Sequence, residues 1–147
     1  QPHMVFLEVC QGNPTFQMRL EVGARVPYGM TALGRAYHCG LSEEARAAML
    51  EEHRKTARKE DWEGFRASFE KAARDYQKHG FCVSLGEWNK DVYSVAVPLV
   101  SRDHSKVLAL TCAGPPFEMT RSRIFEELGP RLIQLRDRLF AATGGSF

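Results

Sequence analysis

Between Asp61 and Gly80, Trp62, Phe65, Phe69, Ala72, Ala73 and Tyr76 recur at intervals of three and four, one apolar stripe along a helix. So much aromatic surface demands burial, and packing against a sheet accounts for it. Arg66, Glu70, Lys71, Arg74 and Lys78 fall mostly off the stripe. Asp61 is placed to cap the helix, and Gly80 to end it in the left-handed conformation. Phe81-Cys82-Val83 then opens a strand almost at once, so the helix must lie against the sheet that follows. Residues 93–100 and 107–113 are rich in β-branched and aliphatic side chains and read as two strands joined by a loop over 101–106. Pro98 points to an edge or a bulge in the first of them. Thr120 caps a terminal helix whose apolar face is Ile124, Leu128, Leu132, Leu135 and Leu139. Gly129-Pro130 inside that pattern predicts a kink or restart.

The upstream half is more broken. Residues 5–10 read as a buried strand and 11–14 as a turn. Phe16, Met18 and Leu20 alternate with polar residues as a second strand, expected to pair with the first. Residues 31–39 form a short helix that Gly40 is expected to end in the left-handed position. Ser42 caps the next helix, and residues 55–60 read as a surface loop. Gln1-Pro2-His3-Met4 resembles the remnant of a tag, which leaves 5–147 as one domain. Strands, helices, strands and a helix in that order give an α+β fold, a mostly antiparallel sheet flanked by helices.

Composition narrows the function. Lys and Arg number 20 and Asp and Glu 18, a net charge of +2 that argues against a free-standing nucleic-acid binder. No apolar run is long enough to cross a membrane, and the N-terminus lacks a secretory pattern. The 4 cysteines (Cys10, Cys39, Cys82 and Cys112) lie far apart among apolar neighbours, which reads as buried reduced thiols and a cytoplasmic protein. Neither a phosphate-binding glycine loop, nor a nucleophile elbow, nor a zinc-protease motif is present. His38-Cys39 and His79-x-x-Cys82 offer too few ligands for a metal. Arg54, Lys55, Arg58 and Lys59 are interrupted by glutamates and read as a solvated face. No catalytic residue, metal or cofactor is assigned.

The run Arg25-Val26-Pro27-Tyr28-Gly29-Met30-Thr31-Ala32-Leu33-Gly34-Arg35-Ala36 resembles the effector-binding domain of IclR-type bacterial transcription regulators, whose pattern here is close to LPxxxTALGKALLA. Lys78-His79-Gly80-Phe81, Glu87, the run Val92-Tyr93-Ser94-Val95-Ala96-Val97-Pro98 and a strand ending Ala113-Gly114-Pro115 (the family's SGP) follow in order. The resemblance implies a GAF-like, profilin-like ligand-sensing domain. It further implies a small organic acid effector, self-association as a dimer or tetramer, and DNA contact only through an N-terminal winged helix-turn-helix domain outside this chain. The helix contacts would be Ala32 and Leu33, with Thr31 at the helix start and Met30 adding polarizable wall. Leu20, Val26 and Val92 would form an apolar wall, and Ser84, Ser94, Thr111 and Ala113 the sheet side. The first amides of the short helix, unpaired within it, would receive the ligand's carboxylate.

Departures from the family pattern refine the expectation. Ser84 stands where an acid is common and Ala113 where the serine of SGP is usual, so the site is less polar. The expected effector therefore carries more apolar surface than a small keto acid, as an aromatic carboxylate does. Asp91 replaces a glycine before the hairpin strand, where a left-handed backbone is expected. Gly34 fits either a close approach of backbone or ligand, or close packing of the helix on the sheet. Two other functions remain open at this level: a small redox enzyme on the same scaffold using Cys82, and a ligand-free dimerisation module built on the 61–79 or terminal helix.

Overall fold

The computed structural model describes residues 2–12 and 20–147. Strands β3 (Cys82–Leu85), β4 (Tyr93–Val100) and β5 (Val107–Gly114) form an antiparallel sheet in that order. β4, carrying Pro98, is the central strand rather than an edge. Because side chains alternate along a strand, the two faces differ in kind. On one face Phe81, Val83, Val95 and Val97 pack with Met119, Ile124 and Leu132. Ile124 is fully buried there, worth about 2 kcal/mol of transfer free energy.

The opposite face is made of small residues. Register aligns Ser84 with Ser94 and Ala113, then Cys82 with Ala96 and Thr111, then Pro98 with Ala109. Onto it lies α1 (Ala32–Gly40), whose Ala32 and Ala36 are wholly buried. Gly40 continues this four-residue spacing. A Cβ on it would stand 2.8 Å from Pro98 Cβ and 2.9 Å from Val107 Cγ1. Gly40 is thus the last helical residue, kept small by packing, and not the expected left-handed cap. Leu41 caps α1 instead, its N–H donating to the His38 carbonyl.

Ser42 caps α2 (Glu43–Thr56) by accepting from the Ala45 N–H. Only Ala57 and Arg58 separate α2 from α3 (Lys59–His79), so the loop expected over 55–60 shrinks to a break. Asp61 lies in the first turn of α3, bonded to Arg58 at 2.9 Å, and does not cap it. Gly80 ends α3 in the left-handed conformation at φ 80 as expected. Its aromatic stripe divides. Phe65 and Phe69 pack on Tyr28, with Met4, Tyr37, Met49, Leu50 and Trp62 around them, while only Ala72 and Tyr76 join the cluster on the sheet.

At the N-terminus, β1 (His3–Val5) pairs antiparallel with β2 (Arg25–Pro27). His3 pairs with Pro27 and Met4 with Val26, so the sheet reaches into the four residues that the sequence reading set aside as a tag remnant. The strand expected over 5–10 is shorter and shifted upstream, continuing only in the bonds Phe6 makes to Gly23 and Ala24. Val5 and Leu7 are exposed. Phe16 and Met18 fall outside the described residues. At the other end Thr120 caps α4 (Arg121–Arg123), a π-helical turn covers Ile124–Leu128, and α5 (Gly129–Thr143) restarts at Gly129-Pro130.

Candidate functional site

The amino end of α1 is held by three side chains. The Thr31 hydroxyl donates to the Pro27 carbonyl at 2.8 Å and accepts from the Gly34 N–H at 3.2 Å. It therefore works as an N-cap. The Ser84 hydroxyl lies 3.0 Å from the Met30 carbonyl and 3.0 Å from Glu87 Oε2, so its one proton serves either acceptor. Arg35 is 5% exposed and is the third anchor. Its Nε donates to Ser68 Oγ at 2.9 Å, and its Nη1 to the Val83 carbonyl at 2.7 Å and Glu87 Oε1 at 3.1 Å.

Burial opposes the charge on Glu87, but the Arg35 guanidinium and the hydrogen bonds from Arg35 and Ser84 outweigh it and hold the carboxyl below its ordinary range. The Leu85 N–H also bonds the same carboxylate. Arg35, Ser68 and Glu87 were not among the residues expected from sequence to form a site, Glu87 serving only as a landmark of the resemblance. An arginine set between Ala32 and Ala36 in a helix that has no acid of its own to pair with it is the signal that could have found the network.

These bonds and the strand register bring Met30, Thr31, Ala32, Ser84, Ser94 and Ala113 into one neighbourhood. Ala32, Thr31, Leu33, Val26, Ser84, Val92 and Ser94 are all buried. Met30 takes part through its carbonyl, its side chain being exposed. Thr111 lies one row further along, and its hydroxyl donates to the Val95 carbonyl at 3.1 Å. Leu20 is half-buried, and among the described residues no hydrogen bond or strand pairing ties it or the Val92 side chain to the row. Ser94 differs from the other hydroxyls: it is 9% exposed, and among the described residues its hydroxyl has no hydrogen-bond partner. Tyr93 points to the other face, against the larger core cluster. Asp91 takes an ordinary backbone, His104 being the one described non-glycine residue at positive φ. Its N–H instead bonds Asn89 Oδ1 at 3.0 Å, which closes the turn without a glycine.

Two cavities lie elsewhere. A groove of about 420 Å³ runs between Tyr76 of α3, Pro98–Val100 of β4 and Arg136, Asp137 and Phe140 of α5. A more open depression of about 710 Å³ lies by Ser42, Glu43, Glu44 and Ala47. Neither is the hollow expected at the amino end of α1.

The thiols depart from the expected uniform burial. Cys82 is buried, Cys39 and Cys112 are half-buried and Cys10 is exposed. The hydrogen bond with Cys39 and burial both push the Cys82 thiol upward, away from the initiating thiolate of a redox enzyme built on Cys82. Behind the site, the Tyr28 hydroxyl and His38 Nδ1 share a hydrogen bond at 2.8 Å. Burial, helped by Arg46, lowers His38 to about 4, while burial raises Tyr28, so both groups stay neutral. Among the described residues no helix is long and apolar enough to cross a membrane.

A helix laid by its amino end on the small-residue face of an antiparallel sheet defines a GAF-like α+β domain. The family described as the C-terminal domain of the bacterial transcriptional regulator IclR matches residues 1–138. The chain belongs to this IclR family, a family of transcription regulators and not of enzymes. It is similar to the crystal structure of an IclR family transcriptional regulator from Brucella abortus, with 37% identity, a TM-score of 0.87 and coverage of 95% of this chain and 52% of that one. It is 29% identical to the HTH-type transcriptional regulator TsaQ1/TsaQ2 of Comamonas testosteroni, covering 90% of this chain and 48% of the relative. The chain thus spans about half the length of either. The same fold, at 19% identity and a TM-score of 0.65, occurs in a double mutant of the inducer binding domain of the PobR transcription factor from Acinetobacter, solved with 3-hydroxybenzoic acid; 88% of this chain and 74% of that one are covered.

Proposed function

We propose that this effector-binding domain takes a small organic acid with substantial apolar surface, an aromatic carboxylate by class, between the amino end of α1 and the Ser84–Ser94–Ala113 row. The observation that carries the reading is the Ser94 hydroxyl, which has no partner among the described residues and, in a residue only 9% exposed, stays open to an incoming group. In the same neighbourhood stand Ala32 and Ala113 and the amino end of α1, whose amides ahead of the Gly34–Thr31 cap bond lack intrahelical partners, a polarity suited to an acid on a hydrocarbon body. The benzoic acid bound by the similarly folded Acinetobacter domain supports the same ligand class. The ligand then acts by differential affinity. It favours one arrangement of a cytoplasmic homo-oligomer, dimer or tetramer, and so biases DNA binding by a winged helix-turn-helix domain outside this chain.

Titration calorimetry of the chain against benzoate, 3-hydroxybenzoate, pyruvate and glyoxylate tests this. The aromatic acids are expected to bind more tightly, and Ser94→Val to weaken them by about tenfold, the loss of one hydrogen bond to a charged or polar partner. Tighter binding of a keto acid than of any benzoate overturns the ligand class. Unchanged affinity in Ser94→Val overturns the site.

A further inference from the structure

Cys39 and Cys82 are far apart in sequence, yet their sulfurs lie 3.8 Å apart, where the carboxyl end of α1 rests on β3. The contact follows from the small-residue face. Cys82 shares a row with Ala96 and Thr111, and Ala32 and Ala36 let α1 lie close enough for the last turn to bring Cys39 over the strand. The two sulfurs differ in access. Cys39 is half-buried, whereas Cys82 is fully buried and in reach of the Ala72 carbonyl of α3 at 3.7 Å. A thiol partly open to solvent and backed by a second, sequestered thiol is the arrangement of a peroxide-oxidised cysteine with its resolving partner. The hydrogen bond from Cys82 also holds the Cys39 thiol below its ordinary value.

We infer that Cys39 and Cys82 form a reversible oxidative modification site, closing to an intramolecular disulfide on exposure to a hydroperoxide. The Cys39 sulfur attacks one peroxide oxygen and the O–O bond breaks. The departing hydroxide leaves as water with the Cys39 proton, and Cys39 becomes a sulfenic acid. The Cys82 sulfur then attacks the Cys39 sulfur and the S–O bond breaks. The hydroxide expelled takes the Cys82 proton as a second water. Two thiols lose two electrons in all, and one hydrogen peroxide becomes two waters. The sulfurs must close from 3.8 Å to about 2 Å, a movement divided between two side chains on elements already in contact. The bond staples α1 to β3, which carry Thr31 and Ser84. An effect on ligand affinity would rest on the function proposed above; the bond itself does not.

The test uses a Cys10→Ser/Cys112→Ser chain, which keeps only the paired thiols, treated with a small excess of hydrogen peroxide under native conditions. The expected result is a mass lower by two hydrogens, a dithiothreitol-sensitive peptide linking Cys39 to Cys82, and a melting temperature that rises on oxidation and returns on reduction. In a Cys82→Ser variant the expected product at Cys39 is a sulfenic acid trapped by dimedone. Two free thiols after treatment, or a sulfinic acid at Cys39 without a cross-link, overturns the proposal. So does a cross-link that forms only in denaturant. Should the serine background fail to fold, the unsubstituted chain, mapped in the same way, is expected to yield the same linked peptide, and its absence there overturns the proposal equally.

Discussion

Arg35 shows how one side chain can tie several backbone segments together. Its guanidinium is buried and bonds Ser68, the Val83 carbonyl and Glu87, while the Ser68 hydroxyl in turn donates to the Gly29 carbonyl at 2.5 Å. Removing a buried charge partner costs more than the pair itself contributes, because the remaining groups stay desolvated and unpaired. Arg35→Ala is expected to destabilise the chain by about 3 kcal/mol. Glu87→Gln, whose side chain is 38% exposed in the ion pair, is expected to cost about 1 kcal/mol. Urea denaturation of both variants checks the order; equal losses would mean that the carboxylate, not the guanidinium, is the anchor. His38 gives a pH prediction. Its folded value, about 4, lies below the unfolded 6.5, so the unfolded chain binds more protons between those values. Stability is therefore expected to fall as pH drops from 6.5 toward 4. His38→Gln is expected to flatten that slope in denaturation midpoints measured across the range.

At the scale of elements, α1 is the piece on which the site depends, and its glycines show what sets its position. Gly34 comes against the backbone of the preceding turn: a Cβ there would stand 2.6 Å from the Tyr28 carbonyl carbon and closer still to its oxygen. Of the two sequence readings of Gly34, close backbone approach is the one observed. Gly34→Ala adds about 1 kcal/mol of helix propensity, yet the rigid obstacle is expected to reverse the sign and leave a net loss of about 2 kcal/mol or more, read by thermal denaturation. Gly40→Ala meets side chains of Pro98 and Val107 and is expected to cost less, since these can shift slightly. A stabilised Gly34→Ala would show that the Tyr28 turn moves freely, and the site's geometry with it. The caps at Ser42, Gly80 and Thr120 and the two long strands were legible because their determinants are local. The aromatic stripe of α3 was legible as buried, but not what buries it. Phe65 and Phe69 meet Tyr28 and their own helical neighbours, a choice fixed by where distant segments arrive.

For the molecule as a whole, the layers behave differently. One face of the sheet is sealed by Val95, Val97, Ile124 and Leu132; the other carries small side chains and Ser94, whose hydroxyl has no partner among the described residues. Binding at the second face stabilises only the folded state, so a ligand at a hundred times its dissociation constant is expected to add about 2.7 kcal/mol and raise the melting temperature accordingly. A screen of small aromatic and aliphatic acids by thermal shift reads this directly, and a flat response across the aromatic acids would remove the proposed ligand class. The motif from Pro27 to Ala36, the strand run to Pro98 and the end at Pro115 were enough to reveal family and fold class, because each records a local rule: a turn, a cap, an alternation. Arg35–Glu87, the Cys39–Cys82 contact and the small-residue rows were decided by tertiary structure alone. They depend on strand register and on how closely a helix can approach a sheet, and a change of one residue in register would send Ser84 and Ser94 to the opposite face.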